Sequence, residues 1–205
     1  MAVQLDQIRA TAERVAASHH LEVVEIEFTG GAKFRTLRVF IEKDAAARAK
    51  LAEIAATGEV PEVLAALPSG VPVERLSGVT HEDCEVFTRD FGTVLDVEDL
   101  IPGAEYTLEV SSPGLERKLS KPEEFQRFTG SLIKLQTFTP VAINGSSNRH
   151  WLGRLTGFTE SVLTIDLSAV KQKGKAKKAV SKSAPEQIVT IALANVEKAN
   201  LVAEI

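Results

Sequence analysis

Four places in the chain set residues of types that could do chemistry side by side. Ser111-Ser112 stands at an abrupt turn, where nucleophilic serines are often presented for acyl transfer. Such a nucleophile needs a base, and no histidine neighbours the pair; a Ser-Pro-Gly turn accounts for both hydroxyls without catalysis. His81-Glu82-Asp83-Cys84 offers four potential metal ligands in a row. The plainer reading is a helix start, with the acids at the positive end of the helix dipole and Cys84 on the apolar face. No His/Glu spacing of the zinc-hydrolase kind is present. His19-His20 would need a third ligand to hold a metal, and adjacent residues on a helix do not face one another. A helix C-terminus, which favours positive charge, explains that pair better. Gly30-Gly31 is not followed by a helical pattern, so it reads as a hairpin turn rather than a phosphate loop. A Gly-x-Ser-x-Gly elbow, a Walker loop and a Rossmann fingerprint are all missing from the sequence. The residues therefore predict no catalytic group, no metal site and no cofactor, and point to binding rather than reaction.

The chain has 205 residues, 44% apolar and 25% charged, enough for one large domain or two modest cores. A single cysteine, Cys84, excludes an intramolecular disulfide and a cysteine-based zinc cluster, and suits a reducing cytosol. The first residues lack the apolar core of a signal peptide, and no apolar run approaches membrane-spanning length. The expectation is a cytoplasmic protein without membrane contact. Charge is uneven: residues 1–120 carry 12 Lys+Arg and 21 Asp+Glu, and residues 121–205 carry 12 and 7. An acidic half joined to a basic half suggests two surfaces for two partners, although ordinary solvated faces would give the same count.

Residues 3–18 place Leu5, Ile8, Ala12, Val15 and Ala16 on one helical stripe. Val23–Phe28 and Leu37–Glu42 then alternate as strands around the Thr29–Lys33 turn, with Val24, Ile26 and Phe28 expected on one face and Val23, Glu25 and Glu27 on the other. Residues 44–77 read as an insertion. Ala45–Ala56 is helical in composition with a thin apolar face, and Glu59–Leu67 is a second short helical candidate. That thin face suggests a mobile lid or appendage. Thr80 with Asp83 marks the next helix start, and Cys84, Phe87, Phe91, Val94 and Leu95 follow at helical spacing. Asp96, Glu98 and Asp99 gather near the helix exit, where the dipole disfavours them. They are either held by local turn hydrogen bonds or form an acidic patch for a partner.

The chain pivots on Tyr106–Lys121. Tyr106, Leu108 and Val110 alternate as a strand, which stops at Ser111-Ser112-Pro113-Gly114. Pro113 fixes its own φ and Gly114 can take a positive one, as a type II turn requires. The first domain, 1–114, is thus expected as an α+β layer, α-β-β-(insertion)-α-β, with two helices on a three-stranded sheet. The second, 115–205, opens with a helical turn at Pro122–Arg127. It continues with short β patterns at Leu132–Phe138, His150–Phe158, Val162–Leu167, Gln187–Leu193 and Lys198–Val202. Gly153 and Gly157 mark a bulge or strong bend, the habit of a small β-barrel. Pro140–Arg149 reads as an exposed loop. A basic loop at about 168–186 holds Lys171, Lys173, Lys175, Lys177, Lys178 and Lys182 and no acid between them. It is either a solvated tract or an arm for RNA phosphates, and it carries no aromatics to stack on bases.

LEVSSPGLER at Leu108–Arg117, preceded by LDVEDLI at Leu95–Ile101, resembles the signature of the RimP ribosome maturation factor family. GVTHEDC (Gly78–Cys84), FTGSLIKL (Phe128–Leu135) and VEKANLV (Val196–Val202) extend the likeness over most of the chain except the two insertions. The resemblance implies a second domain of the SH3-like or Sm-like barrel type. It also implies a monomeric, non-enzymatic assembly factor that binds an immature small ribosomal subunit and helps ribosomal protein twelve of that subunit to join. Contact with rRNA would come through the lysine loop. Ser111, Ser112, Pro113, Gly114, Leu115 and Arg117 then become the interdomain hinge and partner segment, and Asp96, Glu98 and Asp99 an acidic partner patch. Two other readings stand beside it: a stand-alone Sm-like RNA-binding module acting on free RNA and, more distantly, an esterase using Ser112.

Overall fold

In the computed structural model, residues 4–31, 34–57, 76–168 and 187–204 are described. The chain divides into two units, Met1–Gly114 and Leu115–Ile205. Two elements expected from the sequence, the helix at 59–67 and the lysine loop, lie outside the described residues.

Among the described residues the first unit is a three-stranded sheet with three helices. Helix α1 (Leu5–Ser18) buries Ile8, Thr11, Ala12, Val15 and Ala16. Strands β1 (Leu21–Thr29) and β2 (Arg35–Lys43) form an antiparallel hairpin. Helix α2 (Ala45–Ala56) starts at Asp44, whose side chain accepts from the Ala47 N–H, and has no buried residue. Helix α3 (His81–Val97) leads into β3 (Tyr106–Ser111), which lies parallel to β2 from Arg35↔Tyr106 to Phe40↔Ser111. The sheet order is β1-β2-β3, so β3 is an edge. Phe87 and Phe91 of α3 are fully buried and stack with centroids 5.2 Å apart among Ile8, Leu37, Val39 and Ile41.

One face assignment in β1 is corrected. Strict alternation put Val23 on the face opposite Ile26 and Phe28, but Val23 is buried in the same core that those two pack against. The register shifts between Val23 and Glu25, a bulge that inserts one residue and returns the next apolar pair to the core side.

The second unit opens with α4 (Pro122–Arg127) and continues into β4 (Leu132–Ile143), β5 (Ser146–Thr159), β6 (Val162–Asp166), β7 (Ile188–Ala192) and β8 (Val196–Leu201). A 3-10 turn, Leu193–Asn195, joins the last two. All pairings are antiparallel in the order β7-β6-β5-β4-β8. The core holds Phe125, Phe128, Ile133, Leu135, Leu155 and Leu163 with Trp151.

The loop expected at Pro140–Arg149 is instead the tip of a long hairpin. Val141 through Ile143 pair with Asn148 back to Ser146. Asn144 and Gly145 take φ +50° and +74°, the two positive values that a type I′ turn needs and that Asn-Gly adopts readily. In β5, Gly153 is a close approach, since a Cβ there would sit 2.6 Å from the Asp166 carbonyl oxygen. The register breaks between Leu155 and Gly157, where the strand bulges.

Candidate functional site

Helix α3 and strand β3 leave an open groove of about 890 Å³ along one side of the first unit. The first half of α3 forms one wall with His81, Glu85, Thr88 and Arg89; Leu108–Ser112 form the other. Val79, Cys84, Leu108 and Val110 supply its apolar lining. The sequence dictates this placement in two steps. The buried stripe of α3, Phe87, Phe91 and Leu95, turns its opposite flank toward solvent. The strand that follows pairs in parallel with β2, which leaves its other edge and its half-buried Leu108 and Val110 beside that flank.

The N-terminus of α3 is held firmly. Thr80 Oγ1 accepts from the Asp83 N–H at 3.1 Å and Asp83 Oδ2 from the Thr80 N–H at 2.9 Å, a reciprocal capping box. Lys43 Nζ donates to Asp83 Oδ1 at 2.8 Å. Burial alone would raise the Asp83 carboxyl, but the Lys43 ammonium and the two Thr80 bonds outweigh it and hold the pKa below the ordinary carboxylate range. Burial, with the Asp83 charge next to it, pushes the Cys84 thiol up, so the thiol stays protonated near neutrality and is a weak nucleophile. His19 turns to Asp90 of α3 at 2.9 Å and His20 to Asp44 at 3.5 Å, so the two imidazoles serve different carboxylates. Among the described residues no cluster of His, Cys, Asp or Glu is arranged to hold a metal ion.

Past the end of β3 at Ser111 the chain has no regular structure through Gly114, and the turn that follows is at Leu115-Glu116. Gly114 has φ +67°, and a Cβ there would meet nothing within 4 Å. Glycine is needed at that point for its backbone and not for space. Ser111 and Ser112 line the groove. In the second unit Leu115 is 39% exposed. Arg117, read from sequence as a hinge cation, is buried there: its guanidinium donates to Glu124 Oε1 and lies 5.1 Å from the Phe128 ring centroid. Glu124 Oε2 also accepts from the Ser120 and Lys121 N–H groups at 2.7 and 2.9 Å.

The three acids at the exit of α3 are used unequally. Glu98 accepts from Arg14 Nη2 at 2.7 Å and from Thr11 Oγ1 at 3.3 Å, tying α3 to α1. Asp96 meets Tyr106, whose phenol is pushed up by burial first and by Asp96 second. Asp99 is exposed in a left-handed conformation, φ +47°, next to Val97, which is 80% exposed. The six lysines, Lys171 to Lys182, lie outside the described residues.

Sequence reasoning overlooked Glu85 and Arg89 as groove residues and Arg48 as the anchor of α2. Arg48 reaches Glu22 at 2.5 Å and Glu42 at 3.5 Å, an ionic attachment where the helix has no apolar face to bury. Glu85 and Arg89 sit opposite the apolar stripe of α3, so helical phase could have found them; that they overlook a strand edge depends on topology. Residues 70–116 match the family model of the RimP N-terminal domain. Every residue lining the groove, and the turn through Glu116, falls inside that match.

Proposed function

We propose that this chain, a RimP-family protein by its match over residues 70–116, is a maturation factor for the small ribosomal subunit that works by binding and not by catalysis. The observation that carries the reading is the coincidence of the matched segment with the groove and the Ser111–Gly114 segment. The protein holds an immature particle, and ribosomal protein twelve of the small subunit in particular, in an arrangement competent to join, and then releases it. The second unit closes as an SH3-like or Sm-like barrel, and its lysine-rich loop meets rRNA phosphates. It acts in the cytoplasm as a monomer. Among the described residues no helix is long and apolar enough to cross a membrane. Sedimentation of the tagged protein through a ribosome gradient tests the proposal: it travels with small-subunit particles. Travel with small RNAs alone would favour a module for free RNA and overturn this function.

A further inference from the structure

Strand β3 has one neighbour. Among the described residues it bonds to β2 and to no other strand, so half of its backbone N–H and C=O groups face away from the sheet. Protein sheets usually blunt such an edge with lysine, proline or a bulge. Tyr106–Ser111 contains no lysine and no proline, and its register with β2 runs without a break. Next to this edge lies the groove, walled on its far side by α3. An edge strand with a helix alongside is the arrangement by which several peptide-binding domains take up an extended segment as one more strand. The lining fits that use. Leu108 and Val110 are half-buried and, with Val79 and Cys84, offer apolar ground for every second side chain of an incoming strand.

The charges on the walls select among occupants. Arg89 is held by Asp90 at 3.5 Å, and Glu109 by Arg38 at 2.6 Å. Glu85 has no partner among the described residues, so the unspent charge on the wall is negative. Among the described residues no phenylalanine, tyrosine or tryptophan lines the groove, which removes the usual platform for single-stranded bases. We propose that the free edge of β3, facing α3, takes up an extended segment of a basic protein as a fourth strand, whose helix-side residues, every second one, bring an apolar side chain onto Leu108 and Val110 and a lysine or arginine onto Glu85. The walled length, Leu108–Ser112, accommodates a strand of about five residues, roughly 16 Å. That the segment belongs to a small-subunit protein rests on the function proposed above; the docking itself rests on the geometry.

Cys84, the single cysteine of the chain, provides the readout. Two peptides of about eight residues, long enough to overfill the groove, are compared: one repeating Val-Thr-Lys-Thr, the other Val-Thr-Glu-Thr, so that valine and the charged residue share the face toward α3. Backbone hydrogen exchange and alkylation of Cys84 by N-ethylmaleimide are followed in the full-length protein. The lysine peptide is expected to slow exchange within 108–112 and abolish alkylation at saturation, the glutamate peptide to do neither, and Glu85→Lys to reverse the preference. Absence of protection, equal protection by both peptides, or protection by polyuridylate RNA in their place would overturn the proposal. The two ideas fail separately. A protein that shows this protection but does not sediment with subunits keeps the docking edge and loses the function. One that sediments with subunits but leaves β3 unprotected by the peptide keeps the function and loses the docking edge.

Discussion

Glu124→Ala should be among the most damaging single changes in the second unit. Arg117 and Glu124 are 4% and 9% exposed, and their guanidinium and carboxylate are bonded to each other. Removing the carboxylate breaks a buried ion pair, which costs about 3–5 kcal/mol. It also strips the Ser120 and Lys121 N–H groups of their acceptor at the start of α4. With a urea slope of roughly 1–3 kcal/mol/M, the loss appears as a fall in midpoint of more than about 1 M. Trp151 is the only tryptophan of the chain and is buried in this unit, so its fluorescence reports this unit alone. Neighbouring Glu123 is exposed, and Glu123→Ala should stay within about 0.5 kcal/mol of the parent. Replacing both partners, Arg117→Met with Glu124→Leu, should recover most of the loss, because neither charge then has to be buried. A Glu124→Ala midpoint indistinguishable from that of Glu123→Ala would refute the reasoning and return Arg117 to the surface role that its sequence suggested.

Three further outcomes are expected. Gly114→Val forces a β-branched residue to φ +67° at a cost of about 1–2 kcal/mol or more; both units should keep their dispersed amide spectra while cosedimentation with subunits falls, and undiminished binding would reduce the turn to a passive linker. Asp83→Asn should flatten the acid limb of stability: the folded carboxyl is held below 3.8, so its contribution is full above that value and is lost as pH falls through the folded pKa. Thermal melts in that acid range should converge for parent and variant and separate above it; parallel curves would remove Asp83 from the acid response. Exchanging Lys171–Lys182 for a short Gly/Ser linker should leave the melting temperature nearly unchanged and lower the salt slope of particle binding, and an unaltered slope would take the lysines out of the contact.

What the sequence revealed, and what it hid, follows the range of the forces involved. The cap at Thr80 and Asp83 is local, three residues apart, and its hydrogen bonds form as the spacing requires. The stripe Phe87, Phe91 and Leu95 is equally local, because helical phase alone decides which side is buried. Asn144-Gly145 was legible too, but serines and asparagines around it read as loop and masked the pair of positive φ values that continue the hairpin. The bulge at Val24 was hidden: alternation assumes one residue per step, and only the partner strand reveals an extra one. The burial of Arg117 was hidden for another reason. A cation beside Glu116 and Lys118 looks solvated until the fold brings Glu124 and Phe128 around it. The groove itself is a product of topology, since nothing within Tyr106–Ser111 shows that β2 takes one side and leaves the other open.

The size of that open side sets how firmly it could hold a partner. A strand of about five residues buries far less than the roughly 1,600 Å² of a standard stable interface. It also bears the cost of ordering an extended segment. Such a contact forms and breaks readily. The assembly role proposed above needs this, because a partner held tightly would never pass to its place in the particle. Firmness has to come from a second contact on the same chain, since linking two weak sites multiplies their occupancy without strengthening either. The second half, with 12 Lys+Arg against 7 Asp+Glu in residues 121–205, is opposite in net charge to the acidic first half. A protein strand at β3 and a phosphate-rich surface at the other half would then be required together. Release would follow when either is captured by its final neighbour, with no chemical step to drive it.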